Sequence, residues 1–127
     1  MRYLTRAEIV AINKQVVTER GQESVLNDPD RLDANVGRPQ WFEDLWEAAG
    51  ALFHAFAATQ AFKDGNKGTA LAAVDAFLKW NGWELDATDD EVFSLAMQVA
   101  EHEIDTVEEL AAFFKAHGVQ LQLPDLE

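Results

Sequence analysis

Ten residues in the middle of the chain, Gln60-Ala61-Phe62-Lys63-Asp64-Gly65-Asn66-Lys67-Gly68-Thr69, combine the residue types that hold a phosphate. Gly65 takes a positive φ at little cost and lets the chain turn sharply into a helix that begins at Asn66. The amides of Asn66, Lys67 and Gly68 then form a first turn without intrahelical acceptors, and such an end favours anions. Lys67 adds a cation there. Asp64, at the mouth, is a ligand type for a divalent metal that would shield phosphates from the protein's own acids.

The remaining polar residues offer less. His54 lies six residues before Gln60 in an apolar helical pattern, a poor spacing to reach the same spot, and reads as a core or partly buried histidine. His102 stands between Glu101 and Glu103, but adjacent helical residues diverge by about 100° and cannot chelate one ion together. His117 falls near a helix C-terminus, where it meets the dipole. The acidic run Asp86 to Glu91 lacks the central glycine of a calcium loop, and no Walker loop or Ser-His-Asp pattern is present. Even the mid-chain turn has a plain alternative, since an Asp-Gly turn needs no ligand and Asn66 can serve as a helix cap alone.

Helices must position this turn, and their start signals are clear. Thr5 to Glu8, Thr88 to Glu91 and Thr106 to Glu109 are capping boxes. The first opens a helix that runs to Glu19-Arg20-Gly21 with Leu4, Ile9, Ile12 and Val16 on its apolar face. Asp28-Pro29 opens a short second helix through about Asn35, closed by Gly37-Arg38-Pro39. Trp41 to Thr59 reads as the most buried helix, with Leu45, Trp46, Ala49, Leu52, Phe53 and Phe56 in a broad stripe. Trp41 and Phe42 at its start have a second reading, facing a groove that receives a partner helix. The turn follows, and then a helix from Asn66 to Trp80 with Leu71, Val74, Phe77 and Leu78 inward, ended by Asn81-Gly82. Two more helices are expected, from Asp89 to Glu101 and from Val107 to His117. Trp83 to Leu85 is the sole hint of extended chain, and 121–127 reads as a loose tail.

Composition bounds the function. The 127 residues suffice for one domain, and 48% hydrophobic content with 4 Trp and 8 Phe fills a core. A net charge of -13 disfavours nucleic acid and anionic membrane as direct partners and attracts basic segments. Without cysteine there are no disulfides or thiolate metal sites. No run approaches the roughly 18 apolar residues of a membrane span, so a cytoplasmic protein is expected.

The mid-chain run resembles the signature of the Fic/Doc family, His-x-Phe-x-Asp/Glu-Gly/Ala-Asn-Gly/Lys-Arg, through Phe62, Asp64, Gly65, Asn66 and Lys67. Gln60 stands at the family's His position and Gly68 at its Arg position. The opening third resembles the Doc (death-on-curing) branch through Thr5 to Glu8, Asp28-Pro29-Asp30-Arg31 and Gly37-Arg38-Pro39-Gln40. The resemblance implies an all-α fold, a compact six-helix bundle covering the whole chain. It further implies a toxin of a toxin–antitoxin pair that transfers phosphate from ATP with Mg²⁺ to a protein Ser or Thr, in the family on elongation factor Tu. On that pattern Asp64 bears on Mg²⁺, Gly65, Asn66 and Lys67 hold phosphates, and Phe62 packs inward to position the turn. The segment Gly37 to Gln40 would border the cleft and align the target. Lys67 points to this branch, because family members that adenylylate proteins usually carry Gly there. Adenylyl transfer is the weaker alternative.

The family His is a general base, and Gln60 cannot accept a proton near neutral pH. The family Arg clamps phosphate oxygens, where Gly68 offers only its amide. Losing such a base costs about two to four orders of magnitude in rate, and losing such an Arg about three to five. Weakened or lost activity is therefore expected, and a catalytically dead nucleotide- or antitoxin-binding protein is the alternative. The implied partner is a Phd-type antitoxin whose C-terminal segment folds onto the toxin.

Overall fold

In the computed structural model, which describes residues 1–122, the chain is built from six α-helices and one small antiparallel strand pair. The helices are α1 (Arg6–Thr18), α2 (Pro29–Gly37), α3 (Leu45–Ala58), α4 (Asn66–Trp80), α5 (Asp89–Ala100) and α6 (Val107–His117). The strands are β1 (Trp83–Leu85) and β2 (Gly118–Gln120), with Glu84 opposite Val119. This is the all-α bundle that the start signals imply.

α3 is the axis of the molecule. Its middle is rich in alanine, and all nine residues in Ala48 to Ala57 other than His54 are buried, so α4, α5 and α6 all pack directly on it. At Gly50 the backbone at the start of α6 comes close, since a Cβ there would stand 2.9 Å from the Val107 carbonyl oxygen. Phe53, Phe56, Phe77 and Phe114 fill the space between the helices. Their burial adds to that of the surrounding aliphatic core, and apolar area removed from water is the dominant favourable contribution to folding.

The structure departs from the pattern reading at four places. α3 begins at Leu45 rather than Trp41, because Asp44 caps it by accepting from the amides of Trp46 and Glu47. Arg38–Trp41 is instead a 3-10 turn started by Pro39, and it leaves Trp41 83% exposed. The buried row of α1 is Ile9, Asn13 and Val17, with Ile12 and Val16 only half-buried at its flank. At Thr106 the box is half formed: the hydroxyl accepts from the Glu109 amide, but the Glu109 carboxylate takes the hydroxyl rather than the Thr106 amide. β1 gains its partner from the residues after α6, and the Leu121 amide donates to the Gly82 carbonyl, so the chain is tied down where the tail reading began. Residues 123–127 of that reading lie outside the described residues.

Candidate functional site

The turn between α3 and α4 is held from both sides. The segment before α2 pairs with it: the amides of Asn27 and Asp28 both donate to the Ala61 carbonyl, the Lys63 amide donates to the Val25 carbonyl, and Leu26 bridges Phe62. Asn27 Nδ2 adds a bond to the Gln60 carbonyl at 2.8 Å. Phe62 is 1% exposed and anchors the turn in the core. The Asn66 side chain accepts from the Phe62 amide at 3.1 Å and donates to the Phe62 carbonyl at 2.8 Å. It locks the turn like a second backbone, and only its own amide is left to face a ligand.

From α1, Asn13 completes the brace. Its Nδ2 donates to the Asp64 carbonyl at 2.9 Å and to Thr69 Oγ1 at 3.1 Å, while its Oδ1 accepts from Ser24 Oγ. No sequence motif contains this residue. Its signal was the spacing Ile9, Asn13, Val17, which puts a polar side chain on a buried helical face, where burial requires partners.

Gly65 adopts φ 79° and ψ 17° and starts α4 without any side-chain cap. Thr69 is the first amide of α4 to bond back into it, to the Gly65 carbonyl, and among the described residues the amides of Asn66, Lys67 and Gly68 have no acceptor. Each of the other five helices has a side-chain cap and an acidic residue in its first turn, whereas α4 has neither and carries Lys67 there. In a chain of charge -13 this end is a local positive region.

The structure divides the sequence-derived site residues between two faces of that helix start. Gln60, Asn66 and Lys67 line one cleft of about 120 Å³ with Thr59 and Ala100. Gly68 faces away from it, into a groove of about 520 Å³ between α1, α4 and α5 whose lining includes Val16, Arg20, Leu71 and Phe93. Asp64 lies exposed at the turn and presents its carbonyl to Asn13. The donor set fits a phosphate, with three free amides and a lysine, and Gln60 brings to the same cleft a side-chain amide, which is not a base.

His54 belongs to another face. Its Nδ1 lies 3.0 Å from Arg38 Nη1, which can only donate, so Nδ1 is the acceptor and the proton sits on Nε2. Nε2 points toward Asp105 Oδ1 at 3.8 Å, too long for a hydrogen bond, and is otherwise without a partner. Burial holds the pKa of His54 below its usual 6.5 and the Arg38 charge pushes the same way, partly opposed by Asp105.

A helical bundle with a braced loop opening into an uncapped helix start defines the class of protein to compare. The chain belongs to the Fic/Doc family: a profile described as Fic/DOC family matches residues 3–78. It is 35% identical over 126 residues to "Toxin Doc" of Mycolicibacterium smegmatis, covering 90% of this chain and 95% of that protein. It is 32% identical over 88 residues to "Protein kinase doc" of Escherichia phage P1, covering 65% of this chain and 70% of that one. These similarities set it in the Doc branch.

Proposed function

We propose that this chain is a Doc-type toxin of a toxin–antitoxin pair, built to bind Mg-ATP at the start of α4 and to transfer phosphate to a protein Ser or Thr. Loss of the base and of the arginine in the motif weakens or abolishes the transfer. The observation that carries the reading is the α4 N-terminus, uncapped, free of acid and flanked by Lys67 in a bundle whose other helices are all capped. Bound ATP would supply the phosphoryl group, with Mg²⁺ neutralising its charge. The residues of this chain do the rest. The amides of Asn66, Lys67 and Gly68 and the Lys67 ammonium receive phosphate oxygens. Asp64 would be the carboxylate that holds the metal, since Mg²⁺ beside phosphates is commonly bound through one or two carboxylates. Thr59 and Gln60 border the place where an acceptor hydroxyl would arrive.

Gln60 favours a second reading, a dead relative that keeps nucleotide or antitoxin binding, because an amide in that cleft holds no exchangeable basic site. In both readings a Phd-type antitoxin fits the groove between α1, α4 and α5. Ile12, Val16, Leu71 and Phe93 offer an apolar floor, and Glu19, Asp75, Asp89 and Asp90 an acidic rim suited to a basic amphipathic helix. Elongation factor Tu is the target that the family suggests.

Calorimetry of Mg-ATP binding with Lys67→Ala alongside tests the site. Binding that Lys67→Ala weakens at least tenfold supports it, and absence of binding by the unaltered protein rejects it. Radiolabel transfer to elongation factor Tu then separates toxin from dead relative.

A further inference from the structure

We infer that Arg20 serves as the guanidinium of the phosphate site, reaching it from the end of α1 in place of a side chain at position 68. The inference rests on the nucleotide reading above and adds a residue that no motif contains.

Position 68 is sterically closed. A Cβ on Gly68 would stand 2.7 Å from Val16 Cγ1, well inside contact distance. Val16 is β-branched on a packed helix and has little rotamer freedom with which to move aside. The next atom out from that Cβ position is Arg20 Nη2, at 3.7 Å. Arg20 lies in the turn just past the end of α1, and it lines the same groove as Val16 and Gly68. Its backbone is pinned by donation of its amide to the Val17 carbonyl. Val16 thus excludes a side chain at position 68 while the guanidinium of Arg20 occupies the neighbouring space.

The guanidinium is also available. Among the described residues Arg20 takes part in no ion pair, although Glu19, Asp75, Asp89 and Asp90 line the same groove. Lys67 faces the cleft on the other side of the helix start. Two cations therefore flank the free amides, a point charge on one side and a planar fork suited to two phosphate oxygens on the other. A basic partner helix seated in the groove would cover Arg20, so antitoxin and nucleotide would compete for this residue.

The test is Mg-ATP calorimetry on the full chain with Arg20→Gln, which keeps much of the aliphatic stem and drops the charge, and Arg20→Lys. Thermal melts confirm folding. Arg20→Gln is expected to bind roughly ten- to hundredfold more weakly, with a shallower salt dependence, and Arg20→Lys in between. Adding Val16→Ala with Gly68→Arg to Arg20→Gln is expected to recover affinity, by opening position 68 to the guanidinium that Arg20 had supplied. If Arg20→Gln binds as the unaltered protein does while Lys67→Ala loses binding, the role of Arg20 is refuted and the phosphate site stands. If the unaltered protein binds no Mg-ATP, both fall.

Discussion

Asn13 and Thr69 lie 56 positions apart in the chain, and their side chains meet in the core at 3.1 Å between Nδ2 and Oγ1. With the bond from the same nitrogen to the Asp64 carbonyl, this contact fixes where α4 starts relative to α1. Both residues are fully buried, so removing the amide leaves the Thr69 hydroxyl short of a partner away from water, and the Asp64 carbonyl loses its tie to α1. Asn13→Ala is expected to cost roughly 1–3 kcal/mol in denaturant unfolding. It should also weaken Mg-ATP binding at temperatures where the protein stays folded, because the free amides lose their placement. A melt within a degree of the unaltered protein would contradict the brace.

How far the sequence reveals this arrangement depends on the range of the interaction. Helix starts are local: Thr5, Asp28 and Thr88 cap as their patterns imply, and Thr106 caps with half of its box. The αL turn at Gly65 is likewise written in a few neighbouring residues. Asp44 was hidden by the aromatic run before it, since Trp41 and Phe42 continue an apolar periodicity that the 3-10 turn interrupts. What spans the chain was not legible. The division of the motif between two faces depends on where α1 lies, and so does the closure of position 68 by Val16. Neither Asn13 nor Arg20 carries a local mark of its partner half a chain away.

His54 offers a pH-dependent readout of the packing between α3 and the 3-10 turn. The groups facing it are Arg38 on one nitrogen, Asp105 near the other and His102 beyond. Its pKa is lowered in the fold, chiefly by burial and then by Arg38, so the unfolded chain takes up the proton first as pH falls. The neutral ring therefore contributes stability above its unfolded pKa of about 6.5, and this contribution is lost as pH falls through the lowered folded value. The unaltered protein should lose stability relative to His54→Gln on going from pH 7.5 to 5.5. Parallel stability curves for the two proteins would show that His54 does not titrate differently on folding.

Restoring the motif is not a symmetric problem. Gln60 lines the cleft beside Lys67 and its side chain makes no hydrogen bond among the described residues, so a histidine there displaces no contact. Gly68→Arg, by contrast, forces a Cβ against Val16 Cγ1 and into the space beside the Arg20 guanidinium. Gln60→His alone is therefore expected to raise phosphate transfer by about two to four orders of magnitude over the unaltered protein, the usual worth of a placed general base. Gly68→Arg alone should lower the melting temperature without raising transfer, since overpacking of this kind costs about 1–3 kcal/mol. Radiolabel transfer to a protein acceptor and thermal melts on the two single variants and the double variant decide the matter. A gain in transfer from Gly68→Arg equal to that from Gln60→His, without thermal cost, would mean that position 68 is open and that Val16 does not guard it.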